Sequence, residues 1–186
     1  MARTDSVTRC QKRSNRVYLE ALFSLILGWG ILLSAQTPLV TGEVNKYVRV
    51  TSVGSNYVAV DDVSDFAAGD TVMIMQMNGV RINASKNLEG YYQDVVGSPG
   101  NYEILTIQSI SIPTKTITLS KALLNTYSAN AKLQLIRISS YNNAVVNTEL
   151  TCHVWDSTYG RGGVLAFIVN GVLTLNADIN VTGKGF

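Results

Sequence analysis

The chain has 186 residues, of which 15 are Lys or Arg and 13 are Asp or Glu, so its formal net charge at pH 7 is only +2. Five of the basic residues and two of the acidic ones lie within residues 1–35, which leaves 10 basic and 11 acidic residues and a net charge of −1 in the rest. With no basic patch interleaved with aromatic side chains, this balance argues against a nucleic-acid-binding protein.

Residues 1–35 have the pattern of a cleaved export signal. A basic segment that includes Arg3, Arg13 and Arg16 precedes an apolar run of 13 residues, 21–33, and Ala35 provides a small residue before the cleavage point. Because a membrane span needs about 20 apolar residues, we predict removal of the signal and no membrane span afterwards. The protein is then secreted or held at the outer cell surface, and the secretion machinery is one of its partners.

After a short linker over residues 36–46, the sequence is a series of β-type runs separated by turn residues. The runs are rich in Val, Ile, Thr and Tyr, the gaps are rich in Gly, Asn, Asp and Pro, and no long window has the helical period. The runs lie at 47–53, 57–60, 71–77, 102–112, 116–120, 133–139, 143–147, 163–169, 172–175 and 178–181. We therefore predict an all-β fold, with an antiparallel β-barrel or sandwich domain over residues 47–160.

Residues 161–186 contain the most regular β pattern. The Asn170-Gly171 pair between two apolar runs suggests a type I′ hairpin turn. The short strands and tight polar corners around it fit the rungs of a parallel β-solenoid equally well. Because a rung needs the next rung to bury its faces, we predict that residues 161–186 start a β-solenoid or second β layer that is incomplete in this chain.

Four aspartates, Asp61, Asp62, Asp65 and Asp70, are the densest group of acidic residues. Carboxylates at this density can hold calcium, although their spacing does not match an EF-hand loop. The simpler interpretation is that they cap turns. We therefore predict no cofactor, with calcium as the alternative.

The sequence contains no arrangement of residues typical of an enzyme. Cys152 and His153 are neighbours in a β-type segment and therefore point to opposite faces, so they cannot act as nucleophile and base. Nothing around the carboxyl groups of Glu89, Asp94 and Glu103 suggests the raised pKa of a general acid. We predict that the chain is not an enzyme.

Three aromatic residues are the candidate ligand contacts. Tyr91 and Tyr92 lie in a polar, glycine-rich excursion over residues 78–101, and loops of that length are often functional. Trp155 precedes a glycine cluster, and exposed aromatic rings of exported proteins can stack on sugars, although a Trp at a strand end is more often a core residue. The partner expected for these residues is a surface polysaccharide or another cell-surface component.

Several motifs give the sequence a family resemblance. Gly69-Asp70 at a strand entrance, the Trp155-Asp156 pair, and residues 162–167 (GGVLAF) with the later 183–186 (GKGF) resemble the N-terminal module of very large exported surface proteins. Such proteins occur in Bacteroidetes and in gliding bacteria, and are described as gliding-motility or adhesin-like proteins. The resemblance covers most of residues 47–186. It implies a chain that continues for hundreds of residues, export through the type IX route, and no catalytic residues.

The function expected from these observations is that of a non-catalytic structural or adhesive module at the N-terminus of a large secreted or cell-surface bacterial protein, linked to gliding motility. Two alternatives stay open. The domain could precede a secreted β-helix enzyme that acts on polysaccharide, or it could be a carbohydrate-binding module itself.

Overall fold

The computed structural model describes residues 37–82 and 92–186. Regular structure in these residues consists of β-strands and one 3-10 turn, Ala129–Ala131. The strands are β1 (Gly42–Glu43), β2 (Lys46–Val53), β3 (Tyr57–Val60), β4 (Thr71–Gln76), β5 (Val80–Ile82), β6 (Tyr92–Val95), β7 (Tyr102–Ser111), β8 (Thr116–Leu119), β9 (Leu133–Tyr141), β10 (Ala144–Val146), β11 (Leu150–Thr151), β12 (Phe167–Val169) and β13 (Leu173–Leu175). The all-β prediction is confirmed.

Six antiparallel strands close into a barrel in the order β9-β2-β3-β8-β7-β4, and β4 pairs with β9 to complete the ring. The structure thus selects the barrel over the sandwich. Two of its connections are hairpins between sequence neighbours, β2–β3 and β7–β8, whose turns fall in residues 54–56 and 112–115. Closure gives every barrel strand a partner on both sides, which satisfies the backbone groups that an open edge would expose.

The barrel interior is an apolar core built from side chains that alternate along the strands. β-branched residues dominate because they suit a pleated, buried surface. The largest fully buried members are Ile74, Ile107, Ile117, Leu119, Leu133 and Leu135. Burial of each such side chain contributes about 1.5–3 kcal/mol to folding.

Beside the barrel, three chain segments stack in parallel, and we call them the first rung (residues 37–43), the second rung (139–151) and the third rung (167–179). The second and third rungs pair along three successive faces: β9 with β12, β10 with β13, and Leu150 with Ile179. The first rung pairs in parallel with the second at Leu39–Val145 and through β1–β11. The stack has the parallel pairing of β-solenoid rungs, which confirms that part of the predicted fold.

The hairpin suggested for Asn170-Gly171 is wrong. The strands on either side of this pair, β12 and β13, bond to β9 and β10 rather than to each other. Neither residue has the positive φ that a type I′ turn requires. Asn170-Gly171 is instead a corner of the third rung, where the chain passes from one solenoid face to the next.

Strand β9 belongs to both parts of the fold. Its residues 133–138 pair with β4, and residues 134–137 also pair with β2, inside the barrel. Its last three residues, Ser139–Tyr141, pair with β12 in the stack. The three rungs of the stack come from residues before, within and after the predicted domain 47–160. The predicted domain boundaries stay predictions.

Candidate functional site

A polar cleft of about 360 Å³ lies where the barrel meets the parallel stack. Its walls come from three separate parts of the chain: the passage from the first rung into β2, the turn after β3, and residues 153–161. The ionisable residues that line it are Glu43, Lys46, Asp62, Asp65, Asp156 and Arg161, with His153 beside them. Four carboxylates and two cationic groups give the lining a formal charge of −2 when His153 is neutral.

Asn45 and Tyr47 form the floor of the cleft. Hydrogen bonds to backbone carbonyls of β9 and of the segment before β12 hold them in place. Asn45 is buried, and its amide donates to the carbonyls of Arg137 at 2.9 Å and Ala166 at 2.6 Å. The hydroxyl of Tyr47 donates to the carbonyl of Val164. Burial raises the pKa of Tyr47 above its usual value, so this hydroxyl stays protonated and keeps its donor role. The floor is therefore fixed in position.

Some of the charged groups are engaged in local structure. The Asp62 carboxylate accepts hydrogen bonds from the hydroxyl and amide of Ser64, and these bonds lower its pKa. The carboxylate of Asp156 accepts from the amides of Thr158 and Tyr159, which forms the turn that carries Arg161. These bonds keep the turn in the shape that brings Arg161 to the cleft.

An ion pair joins Arg161, which lines the cleft, to Asp61, which follows β3 and does not line the cleft. The guanidinium of Arg161 lies 3.6 Å from the carboxylate of Asp61 and 5.2 Å above the ring of Tyr159. Both partners are about one-third exposed, so the pair adds orientation more than stability.

The acidic cluster does not converge on a single point. Asp61 accepts from the amide of Arg49, and Asp70 accepts from the amide of Ala67, in addition to the Asp62 contacts. Across residues 37–82 and 92–186, no three His, Cys, Asp or Glu side chains meet in a way that could hold a metal ion. Two of the four aspartates, Asp62 and Asp70, thus act as turn caps, whereas Asp61 bonds to strand β2. The absence of a cofactor stays a prediction.

Cys152 and His153 follow strand β11 and lie outside any strand, and their side chains differ in burial. Cys152 is fully buried, whereas His153 is exposed with Nδ1 2.8 Å from the carbonyl of Val154. Burial raises the pKa of the Cys152 thiol, so thiolate formation is disfavoured.

Glu103 is a structural carboxylate. Its oxygens accept hydrogen bonds from the amides of Leu124 and Asn125 and from the Asn125 side chain. Burial alone would raise the pKa of Glu103, but these bonds outweigh it and hold the pKa below its usual value. A depressed pKa does not suit a general acid at neutral pH. Glu89 and the side chain of Asp94 lie outside the described part of the chain.

The three predicted ligand contacts are not brought together by the described structure. Tyr91 lies outside the described residues, and of Tyr92 only the backbone, at the start of β6, is described. Trp155 is partly buried, its ring meets Phe186 edge-on at 5.0 Å, and it is not among the residues that line the cleft. A role for these aromatic residues in ligand binding stays a prediction.

The excursion over residues 78–101 begins and ends as a hairpin formed by β5 and β6. The side chain of Gln76, which is fully buried, holds the base of this hairpin. Its amide donates to the carbonyls of Asn78 and Val96, both at 2.7 Å, and its oxygen accepts from the amides of Ser98 and Ser128. One side chain thus connects both ends of the excursion to the barrel.

Comparison with known proteins yields neither a family nor a named relative. No family model matches the sequence, and no curated protein matches it. Across the described residues, no helix is long and apolar enough to cross a membrane.

Among solved structures, three phage tailspikes are similar at low levels. The gp54 tailspike of Acinetobacter baumannii bacteriophage AP22, solved with a capsular saccharide, has a TM-score of 0.40 at 13% identity over 74% of this chain and 22% of its own. The phi297 tailspike gp61 of a Pseudomonas phage has a TM-score of 0.38 at 18% identity over 76% and 21%. The gp49 tailspike of Pseudomonas phage LKA1 has a TM-score of 0.32 at 15% identity over 62% and 20%. The chain spans about a fifth of the length of these tailspikes, and similarity at this level defines neither a family nor an activity.

Proposed function

We propose that this chain is a non-catalytic structural module of a secreted or cell-surface bacterial protein, and that its barrel serves as the base of a parallel β-solenoid. The physical basis is the shared strand β9, which fixes the first solenoid face to a closed barrel. A closed barrel is a stiff support because each of its strands is bonded on both sides.

The observation that carries the proposal is the difference in burial between equivalent positions of two rungs. Val146 and Leu150 of the second rung are completely buried. Their parallel partners in the third rung, Leu175 and Ile179, are 53% and 42% exposed. The third rung therefore presents an exposed apolar surface that is similar to the second-rung surface it covers. A base for further rungs needs such a surface.

The test adds one rung. A second copy of residues 158–186 is joined after Phe186, which preserves the 29-residue spacing between stacked positions. Because the added rung covers Leu175 and Ile179, we expect the midpoint of thermal unfolding to rise by about 5 °C, equivalent to roughly 1–2 kcal/mol for a domain of this size.

The matched control carries Asp in place of Leu173, Leu175 and Ile179 in the added copy only. This copy has the same length but cannot contribute an apolar interior, so it should leave the midpoint unchanged. A base role is excluded if both extensions leave the midpoint unchanged or if both raise it equally.

The location at the cell surface, and an adhesive role linked to gliding, are supported by the export-type leader and by the resemblance to adhesin-like proteins. They are tested in the source bacterium with an epitope inserted in the 78–101 excursion. Antibody should label intact cells, and deletion of the gene should reduce attachment and spreading. Label that appears only after cell lysis would contradict the surface location.

A further inference from the structure

The cleft between barrel and stack contains several polar groups that the fold itself does not use. Within the described part of the chain, the carboxylates of Glu43 and Asp65 and the ammonium of Lys46 make no hydrogen bond or ion pair, and these three side chains are exposed. His153 uses only Nδ1, which donates to the Val154 carbonyl when the ring is neutral and leaves Nε2 as an acceptor.

These groups surround a fixed and partly apolar floor. The ring of Tyr47 lines the cleft, and its centroid is 6.4 Å from that of His153. The Tyr47 hydroxyl and the Asn45 amide beneath are committed to backbone groups, so the floor does not rearrange to satisfy itself. A ligand that enters meets groups already in place, which lowers the ordering cost of binding.

The composition of the lining narrows the chemistry of the ligand. The carboxylates only accept hydrogen bonds, whereas the ammonium of Lys46 and the guanidinium of Arg161 only donate. A hydroxyl group does both, so neighbouring hydroxyls of a sugar ring satisfy both kinds of partner. The aliphatic face of the ring can pack on Tyr47.

The charge of the cleft lining distinguishes a neutral saccharide from anionic classes of ligand. The lining charge of −2 disfavours an anionic saccharide or a nucleic acid. The volume of about 360 Å³ is at the small end of the range of about 300–1,000 Å³ for ligand sites, so it suits a short or terminal saccharide.

We propose that this cleft is a binding site for a neutral saccharide, recognised by Glu43, Lys46, Asp65 and His153. The site is distinct from the aromatic residues predicted from sequence. It does not depend on the solenoid-base role, because it is formed entirely by residues already in place.

The test is affinity electrophoresis of the whole chain in native gels that contain one polysaccharide each. The neutral probes are dextran, mannan, xylan, galactan and laminarin, and alginate is the anionic probe. We expect at least one neutral polysaccharide to retard the protein and alginate to leave its mobility unchanged. If no neutral probe retards it, or if alginate alone does, the proposal is wrong.

Two variants locate the binding. Lys46→Met combined with Asp65→Asn keeps the net charge and should weaken retardation at least fivefold, and His153→Ala should weaken it as well. The matched control is Lys121→Met with Asp178→Asn, at exposed positions that do not line the cleft. Circular dichroism verifies that all variants are folded. Equal retardation of the cleft and control variants would overturn the assignment of the site.

Discussion

The side chain of Asn45 makes two hydrogen bonds to the backbone of Ala166, 121 residues later in the sequence. The pair of bonds is like the one that two neighbouring strands form through their backbones. The Asn45 amide nitrogen donates to the Ala166 carbonyl at 2.6 Å, and the Asn45 oxygen accepts from the Ala166 amide at 2.8 Å. Asn45 is only 3% exposed. A single side chain thus attaches the segment that precedes the third rung to the entrance of the barrel.

Replacement of Asn45 by Ala should lower the free energy of unfolding by about 2–4 kcal/mol. The variant leaves the amide and carbonyl of Ala166 and the carbonyl of Arg137 without their partner, and each buried unsatisfied group costs about 1–3 kcal/mol. Urea unfolding followed by circular dichroism measures the change.

Asn176→Ala is the control for Asn45→Ala. Asn176 donates to Asn147 at 2.7 Å at an exposed solenoid corner, where water replaces the lost partner. Its substitution should cost less than about 1 kcal/mol. Equal losses of unfolding free energy in the two variants would mean that the burial of Asn45 does not determine its contribution to stability.

Gln76→Met should loosen the base of the 78–101 excursion. Met has a similar volume but cannot satisfy the two carbonyls and two amides that the Gln76 side chain contacts. We expect a loss of about 2–4 kcal/mol in unfolding free energy and faster hydrogen exchange at the amides of Ser98 and Ser128.

Gln108→Met tests whether the effect of Gln76→Met depends on position. Gln108 is exposed on β7, and its side chain makes no hydrogen bond with any described residue. This variant should leave the exchange of Ser98 and Ser128 unchanged. Unchanged exchange in Gln76→Met as well would remove the anchoring role of Gln76.

The stability of the barrel should depend on pH through Glu103. Its hydrogen bonds hold the folded-state pKa below the unfolded value of about 4.3, so the contribution is fully present above that pH and is lost as the pH falls through the folded pKa. Glu103→Gln should therefore be less stable than the parent chain at pH 7. The difference should shrink below about pH 4.

Urea unfolding at a series of pH values measures the Glu103 effect, with Glu149→Gln as the control at an exposed corner. A gap between parent and Glu103→Gln that widens as the pH falls would have the wrong sign and would contradict the hydrogen-bonded carboxylate.

Phe186→Ala should expose the ring of Trp155. The two rings meet edge-on at 5.0 Å and 89°, and the Trp155 amide donates to the Lys184 carbonyl at 2.9 Å. Loss of the Phe186 ring admits water to one side of the indole, so we expect the fluorescence maximum of a Trp29→Phe background to move to longer wavelength.

Leu124→Ala in the same background controls for a general effect of removing an exposed apolar side chain. Leu124 is 91% exposed and is not a ring partner of Trp155, so this variant should not move the maximum. A shift of equal size in both variants would contradict the Trp155–Phe186 contact.

Strand β7 shows where alternation in the sequence is informative and where it is not. Ile104, Ile110 and Ile112 share one parity, yet Ile104 and Ile112 are 52% and 74% exposed, while Ile107 of the other parity is buried. A register shift between Ile107 and Ser109 reverses the parity, which turns Ile110 toward the core. Alternation predicted the strand, but a bulge changes which face is buried.

The solenoid has a signal in the sequence that the short β-type runs, taken one at a time, do not reveal. Residues 142–150 (NNAVVNTEL) and 171–179 (GVLTLNADI) have the same order of corner and interior residues. Asn147 and Asn176 occupy the same corner, 29 residues apart. An internal repeat at this period predicts parallel stacking rather than a hairpin.

The cleft could not be predicted from any local motif. Lys46, Asp65 and His153 lie far apart in the sequence, and each is unremarkable in its own segment. They meet because β2 pairs with β9 while β9 continues into the second rung, and both relationships are long-range. Only the tertiary structure shows them on one surface.

The sequence by itself determined the β-strands and most of the turns, because alternation and turn chemistry act between near neighbours. It also indicated that residues 161–186 carry apolar side chains suited to stacking. The tertiary structure decided that β4 and β9 close the barrel, that the rungs pair in parallel, and that the cleft residues meet. Those outcomes depend on pairing between distant strands, and the register of such pairing follows from the total burial of the fold rather than from any one segment.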